Sequence, residues 1–204
     1  MDKCHVLLMI TILITTTYIV LVPTDALDVG PNTGLANVDA SFIGGERDTS
    51  GLSVAIAGDV NGDGYDDLLI GGRDNSDAST SAGKTYLIFG KKSGWARDTS
   101  LSDADANFIG VEREFSGNTV SGAGDVNGDG YDDILIQAIG HNLPSKAAGK
   151  IYLIFGKKGG WSKNTPLYSA NASFIGENEY DFAGASLSCA GDVNGDGYDD
   201  ILIG

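Results

Sequence analysis

The acids best placed to do chemistry in this 204-residue chain lie in one ten-residue string, GDVNGDGYDD, which occurs unchanged at 58–67, 124–133 and 191–200. Counted from its first Asp, each copy reads D-x-N-x-D-G-Y-x-D. It offers oxygen side chains at positions one, three, five and nine: Asp59, Asn61, Asp63 and Asp67; Asp125, Asn127, Asp129 and Asp133; Asp192, Asn194, Asp196 and Asp200. The backbone carbonyls of Tyr65, Tyr131 and Tyr198, at position seven, supply a fifth oxygen. Several carboxylates with no His or Cys make a hard donor set, which selects Ca²⁺ over zinc, copper or iron. Three such loops predict three Ca²⁺ sites. Converging these oxygens requires the chain to fold back on itself, and Gly62 and Gly64 permit the turned backbone this needs.

Two simpler readings fit less well. A helix–loop–helix calcium site needs an acid at position twelve, where this chain has Ile70, Ile136 and Ile203. The loop therefore joins strands and ends its ligand set at the ninth position. A plain hairpin turn needs only one Asn-Gly or Asp-Gly pair, far less than nine positions held in phase three times.

The rest of the chain offers little for catalysis. Beyond the N-terminal segment there is one histidine, His141, in the loop GHNLPS, with no nucleophile or carboxylate in a recognisable relation to it. Cys189 takes the place of Ile56 and Gly122 in the other copies, so it reads as a small strand residue, and no intrachain disulfide is expected. DASTS at 77–81 has no counterpart in the second unit and reads as a connector. Asn171-Ala172-Ser173 is a glycosylation sequon, and the chain contains no R-G-D tripeptide. The expectation is a protein that is not an enzyme.

The elements that position the loops also repeat. SFIGGERD from Ser41 matches NFIGVERE from Asn107 and SFIGENEY from Ser173, and KTYLIFGKKSGW from Lys84 matches KIYLIFGKKGGW from Lys150. Phe42, Phe108 and Phe174 stand 66 residues apart. A fixed period of that length predicts a supersecondary unit stacked on its own copies. Within a unit the apolar segments around Phe42-Ile43, 53–57, 67–71 and 85–90 are short and bounded by Gly or Asp. They predict four strands buried on both faces, the count of one propeller blade. Thirty glycines and 8% aromatic residues agree with a turn-rich all-β protein. The units read as blade 1 over 41–106, blade 2 over 107–172 and an incomplete blade 3 over 173–204, with a lead-in over 27–40.

With these motifs in hand, the chain resembles the FG-GAP repeat of the integrin α-subunit β-propeller, from about Ser41 to Gly204. Similar repeats occur in secreted and surface proteins of bacteria and archaea, and in the propeller portion of a phospholipase D acting on glycolipid anchors. The resemblance implies seven blades, Ca²⁺ in the loop between the first two strands of a blade, and ligand binding on the opposite face. About two and a half blades of four antiparallel strands are present, and a propeller needs about four to eight. This predicts a partial propeller, completed by further blades of the same chain, as the N-terminal fragment of a longer one, or of another chain.

The segment 1–26 carries Lys3 ahead of an apolar run from Val6 to Val22 and small residues at Thr24 and Ala26. It reads as a secretory signal peptide cleaved after Ala26, or as an N-terminal membrane anchor; either predicts a secreted or cell-surface protein. The net charge of −15 argues against nucleic acid and anionic membranes as partners, and twelve of the 28 acids sit in the three loops. Two functions follow: an extracellular calcium-binding module for adhesion or protein recognition, with a protein or surface ligand as partner, or the non-catalytic scaffold of a secreted, phospholipase-like hydrolase.

Overall fold

Short apolar runs bounded by Gly or Asp fold as strands, and in this chain the runs are unbroken because both faces of the central strands are buried. The computed structural model describes residues 6–11, 17–22, 40–140 and 147–204, the first two segments as backbone alone. Its strands are β1 Val6–Thr11, β2 Thr17–Val22, β3 Ala40–Ile43, β4 Ser53–Gly58, β5 Asp67–Gly72, β6 Lys84–Ile88, β7 Thr99–Ser100, β8 Ala106–Ile109, β9 Ser116–Gly124, β10 Asp133–Ala138, β11 Lys150–Ile154, β12 Thr165–Pro166, β13 Ala172–Ile175, β14 Leu187–Gly191 and β15 Asp200–Ile203. They form sheets ordered β1-β2-β3-β7, β12-β8-β6-β5-β4, β13-β11-β10-β9 and β14-β15. The architecture is all-β, a row of propeller blades that does not close into a ring. Among the described residues, no helix is long and apolar enough to cross a membrane.

The core lies between sheets, and the period-two pattern assigns each side chain to one side. In β5, Leu68 and Ile70 join Phe42, Tyr86, Ile88 and Leu101 in the layer toward the first sheet. Leu69, between them, points the other way and meets Ile134, Ile136 and Tyr152 of the next sheet. β10 repeats the rule: Ile134 and Ile136 face back, while Leu135 faces forward toward Leu187 and Ile201. On the last sheet the forward face is open. Leu202, the counterpart of Leu69 and Leu135, is 61% exposed where those two are fully buried.

The sheets run one strand out of phase with the sequence units. β8, which carries Phe108, pairs with β6 of the preceding unit in the register Thr85↔Phe108, and β13 pairs with β11 in the register Ile151↔Phe174. A period fixes the length of a repeat and leaves its origin open, so the Phe-Ile strand that heads each unit in sequence closes the previous blade in space. Two-residue strands then lie parallel along those outer strands, β7 on β3 and β12 on β8, which covers edges that would otherwise be free.

The GERD and VERE turns are pinned by buried acids. Asp48 accepts from the Gly45 and Ser50 amides and from the Tyr86 hydroxyl. Glu114 accepts from the Val111 amide and the Tyr152 hydroxyl. The expected targeting segment overlaps β1 and β2, which pair as a hairpin and continue onto β3; the rest of 1–26 lies outside the described residues, as does His141.

Candidate metal-binding loops

Each ten-residue string connects the first two strands of a sheet: 58–67 joins β4 to β5, 124–133 joins β9 to β10, and 191–200 joins β14 to β15. Its opening glycine lies past a bulge, where the register shifts between Ile56 and Gly58 and between Cys189 and Gly191. Gly58, Gly124 and Gly191 accordingly take φ of 83°, 71° and 68°, the left-handed backbone that an extra residue in a ladder requires.

Inside the loop the first Asp organises the turn. Asp59 Oδ1 accepts from the Gly62 and Asp63 amides at 2.8 and 2.9 Å, and Oδ2 from the Gly64 amide at 2.8 Å. Asp125 does the same with Gly128, Asp129 and Gly130, and Asp192 with Gly195, Asp196 and Gly197. Gly62 and Gly64 take φ of 75° and 88° to present those amides. The fifth-position acids Asp63, Asp129 and Asp196 each accept from the amide of the Tyr two residues on, at Tyr65, Tyr131 and Tyr198. Asn127 and Asn194 accept from the amides of Asp129 and Asp196.

The ninth acid sits at the start of the second strand and turns back toward the loop. Asp67, fully buried, accepts from the Val60 amide at 3.1 Å, from the Gly90 amide at 2.7 Å and from the side chain of Asn61. Asp133 repeats this with Val126 and Gly156, and Asp200 with Val193 and Asn194. Burial pushes the Asp67 carboxyl up to about 7, with the Gly90 and Val60 amides opposing the rise and the charges of Asp63 and Asp59 adding to it. Burial likewise raises Asp133 to about 6. In the open third loop, amide hydrogen bonds led by that of Gly197 hold Asp192 below the ordinary carboxylate range.

Among the described residues, no three His, Cys, Asp or Glu side chains gather into a ready-made metal centre. The loop carboxylates rest on backbone amides. Their chemistry nevertheless fits a hard divalent cation: every side-chain donor is oxygen, three in each loop are carboxylates, and in the first two loops one of these is buried beside two like charges. A cation would relieve that electrostatic cost.

Successive loops touch. The eighth residue of one loop reaches the first residue of the loop before it. Asp132 Oδ2 accepts from the Asp59 amide at 2.7 Å, and the Asp132 amide donates to the Asp59 carbonyl at 3.3 Å. Asp199 does the same to Asp125 at 2.9 and 3.1 Å. The rings of Tyr131 and Tyr198 lie over Gly62 and Gly128, where an added Cβ would sit 2.5 and 2.6 Å from ring carbons. The only sequence signal was that the eighth-position Asp never varies among copies.

The FG-GAP repeat model matches residues 50–88, 116–154 and 183–204. The chain is 30% identical over 155 residues to integrin alpha-3 of Cricetulus griseus, covering 76% of this chain and 14% of that protein. It is 30% identical over 164 residues to integrin alpha-4 of Xenopus laevis, covering 79% and 15%, and 33% identical over 169 residues to integrin alpha pat-2 of Caenorhabditis elegans, covering 76% and 13%. The chain thus spans about one seventh of the length of these relatives.

Proposed function

This chain belongs to the FG-GAP repeat proteins, and from that premise we propose that it is an extracellular, calcium-stabilised β-propeller module that serves adhesion or protein recognition and is not itself an enzyme. The observation that carries the reading is recurrence of geometry. Three loops hold the first, fifth and ninth acids in the same hydrogen-bonded frame, on a scaffold similar to integrin α subunits. Asp59, Asn61, Asp63, Asp67 and the Tyr65 carbonyl would hold one Ca²⁺. Asp125, Asn127, Asp129, Asp133 and the Tyr131 carbonyl would hold a second, and Asp192, Asn194, Asp196, Asp200 and the Tyr198 carbonyl a third. The ion supplies charge neutralisation for acids that the fold buries, and no bond is made or broken.

Further blades, from the same chain or another, cover the open face of the last sheet. Exposure of Leu202 at 61% supports this, because its counterparts in earlier sheets, Leu69 and Leu135, are fully buried. The apolar run from Val6 to Val22 acts in export, placing the protein outside the cell or on its surface. The partner is a protein or surface ligand bound through the variable connectors between blades.

The alternative, a non-catalytic scaffold within a secreted hydrolase, is tested by lipase and esterase assays on the full-length product with and without Ca²⁺. The expected result is no turnover above background in either condition. A hydrolytic rate that rises with Ca²⁺ would replace the recognition reading with an enzymatic one.

A further inference from the structure

We propose that the three loops form a coupled series, in which the eighth-position acid of each loop is a positioning residue for the calcium site of the loop before it. The inference rests on the calcium reading above and adds how neighbouring sites depend on one another.

The juxtaposition that carries it occurs at both joints between the three loops. Asp59 is the first ligand of its loop, and its side chain organises the turn by accepting three amides. Its own backbone is gripped from outside. Asp132 takes the Asp59 amide at 2.7 Å and donates its own amide to the Asp59 carbonyl. Nearby, the Lys157 amide donates to the Val60 carbonyl at 2.9 Å. The fit leaves no slack: a Cβ on Gly58 would stand 2.1 Å from Asp132 Oδ2, and one on Gly124 2.1 Å from Asp199 Oδ2. At Gly191, where no fourth loop follows among the described residues, nothing lies within 4 Å. The close approach therefore belongs to the joint and not to the loop.

Asp132 lies between the Tyr131 carbonyl and Asp133, two ligands of its own loop. A cation bound there fixes Asp132 and, through it, the backbone of Asp59. The second ion thus removes part of the ordering cost of the first, and linkage makes the benefit reciprocal. Adjacent loops couple directly; the first and third couple only through the second.

The test is calcium titration calorimetry on the whole chain carrying Asp200→Asn, which leaves the first two sites. Adding Asp132→Asn keeps the shape and removes the charge-assisted bond. The expected result is that one site weakens about tenfold, equivalent to about 1.4 kcal/mol, while the other changes less than twofold. When Asp67→Asn has already disabled the first loop, Asp132→Asn is expected to change nothing further, which a general loss of structure would not produce. Asp199→Asn, at the more exposed joint, should weaken the second site in the same way and guards against misfolding of the inner variant. Amide exchange without metal reads the grip itself: Asp132→Asn should speed exchange at Asp59 and spare Asp125. Weakening that persists in the Asp67→Asn background, or no change in either site, would overturn the coupling. A wild-type chain that takes up no Ca²⁺ yet shows the exchange effect would overturn the calcium reading, and the coupling of sites with it, while leaving the backbone grip.

Discussion

Removing calcium should lower the melting temperature of this protein by about 8–16 °C. Each ion bound only by the folded chain adds RT ln(1 + [L]/Kd), about 1.4 kcal/mol at ~1 mM Ca²⁺ with a Kd of ~0.1 mM, a value in the range of extracellular modules. Three sites give about 4 kcal/mol, and for a chain of this size each kcal/mol moves the midpoint by roughly 2–4 °C. The sum is a large part of the roughly 5–15 kcal/mol that separates folded from unfolded domains. Magnesium should restore little of the loss, because it demands a smaller octahedral shell. Thermal melts in Ca²⁺, Mg²⁺ and chelator check this; coincident curves would contradict a structural role for the ion.

The second large effect is on pH. In the metal-free chain the Asp67 carboxyl lies at about 7 and that of Asp133 at about 6, chiefly because both are buried. In an unfolded chain both titrate near 3.8. Between about pH 4 and 7 the folded state therefore binds protons that the unfolded state does not, so stability falls as pH rises through this window. A shift of about three units at Asp67 corresponds to a loss on the order of 4 kcal/mol by pH 8. Groups held below the ordinary range, such as Asp77 beside Lys84, act below pH 4 and do not oppose the trend. Metal-free protein should melt higher at pH 5 than at pH 8. With Ca²⁺ present the order should flatten or reverse, since protons compete with the ion for the same carboxylates. A metal-free melting point that rises toward pH 8 would show that the burial of Asp67 has been misread.

Much of this was legible in the residues because the relevant physics is local. The short uninterrupted apolar runs in DLLIG and DILIQ give strands buried on both faces, and β5 and β10 are buried at every position. The glycines of the loop announce the left-handed turns they occupy at Gly62 and Gly64. What stayed hidden is what depends on a distant partner. The phase of the blades is set by pairing between Thr85 and Phe108, which a repeat period cannot reveal. Nothing in GERD and VERE signals the burial of Asp48 and Glu114, which the hydroxyls of Tyr86 and Tyr152 cover from distant strands. Asp132 contributes nothing to its own loop's donor pattern, and its partner lies 73 residues away. The run from Val6 to Val22 is equally suited to export and to the hairpin of β1 and β2, since hydrophobicity alone does not distinguish them.

The claim that joins these observations is that the three loops are calcium sites. Titration calorimetry of the folded, metal-free chain with Ca²⁺ tests it most directly. Three ions bound per chain, in the range of roughly 0.1–1 mM and with Mg²⁺ a poor competitor, is the predicted result; fewer than two ions bound to a sample that is demonstrably folded would contradict it.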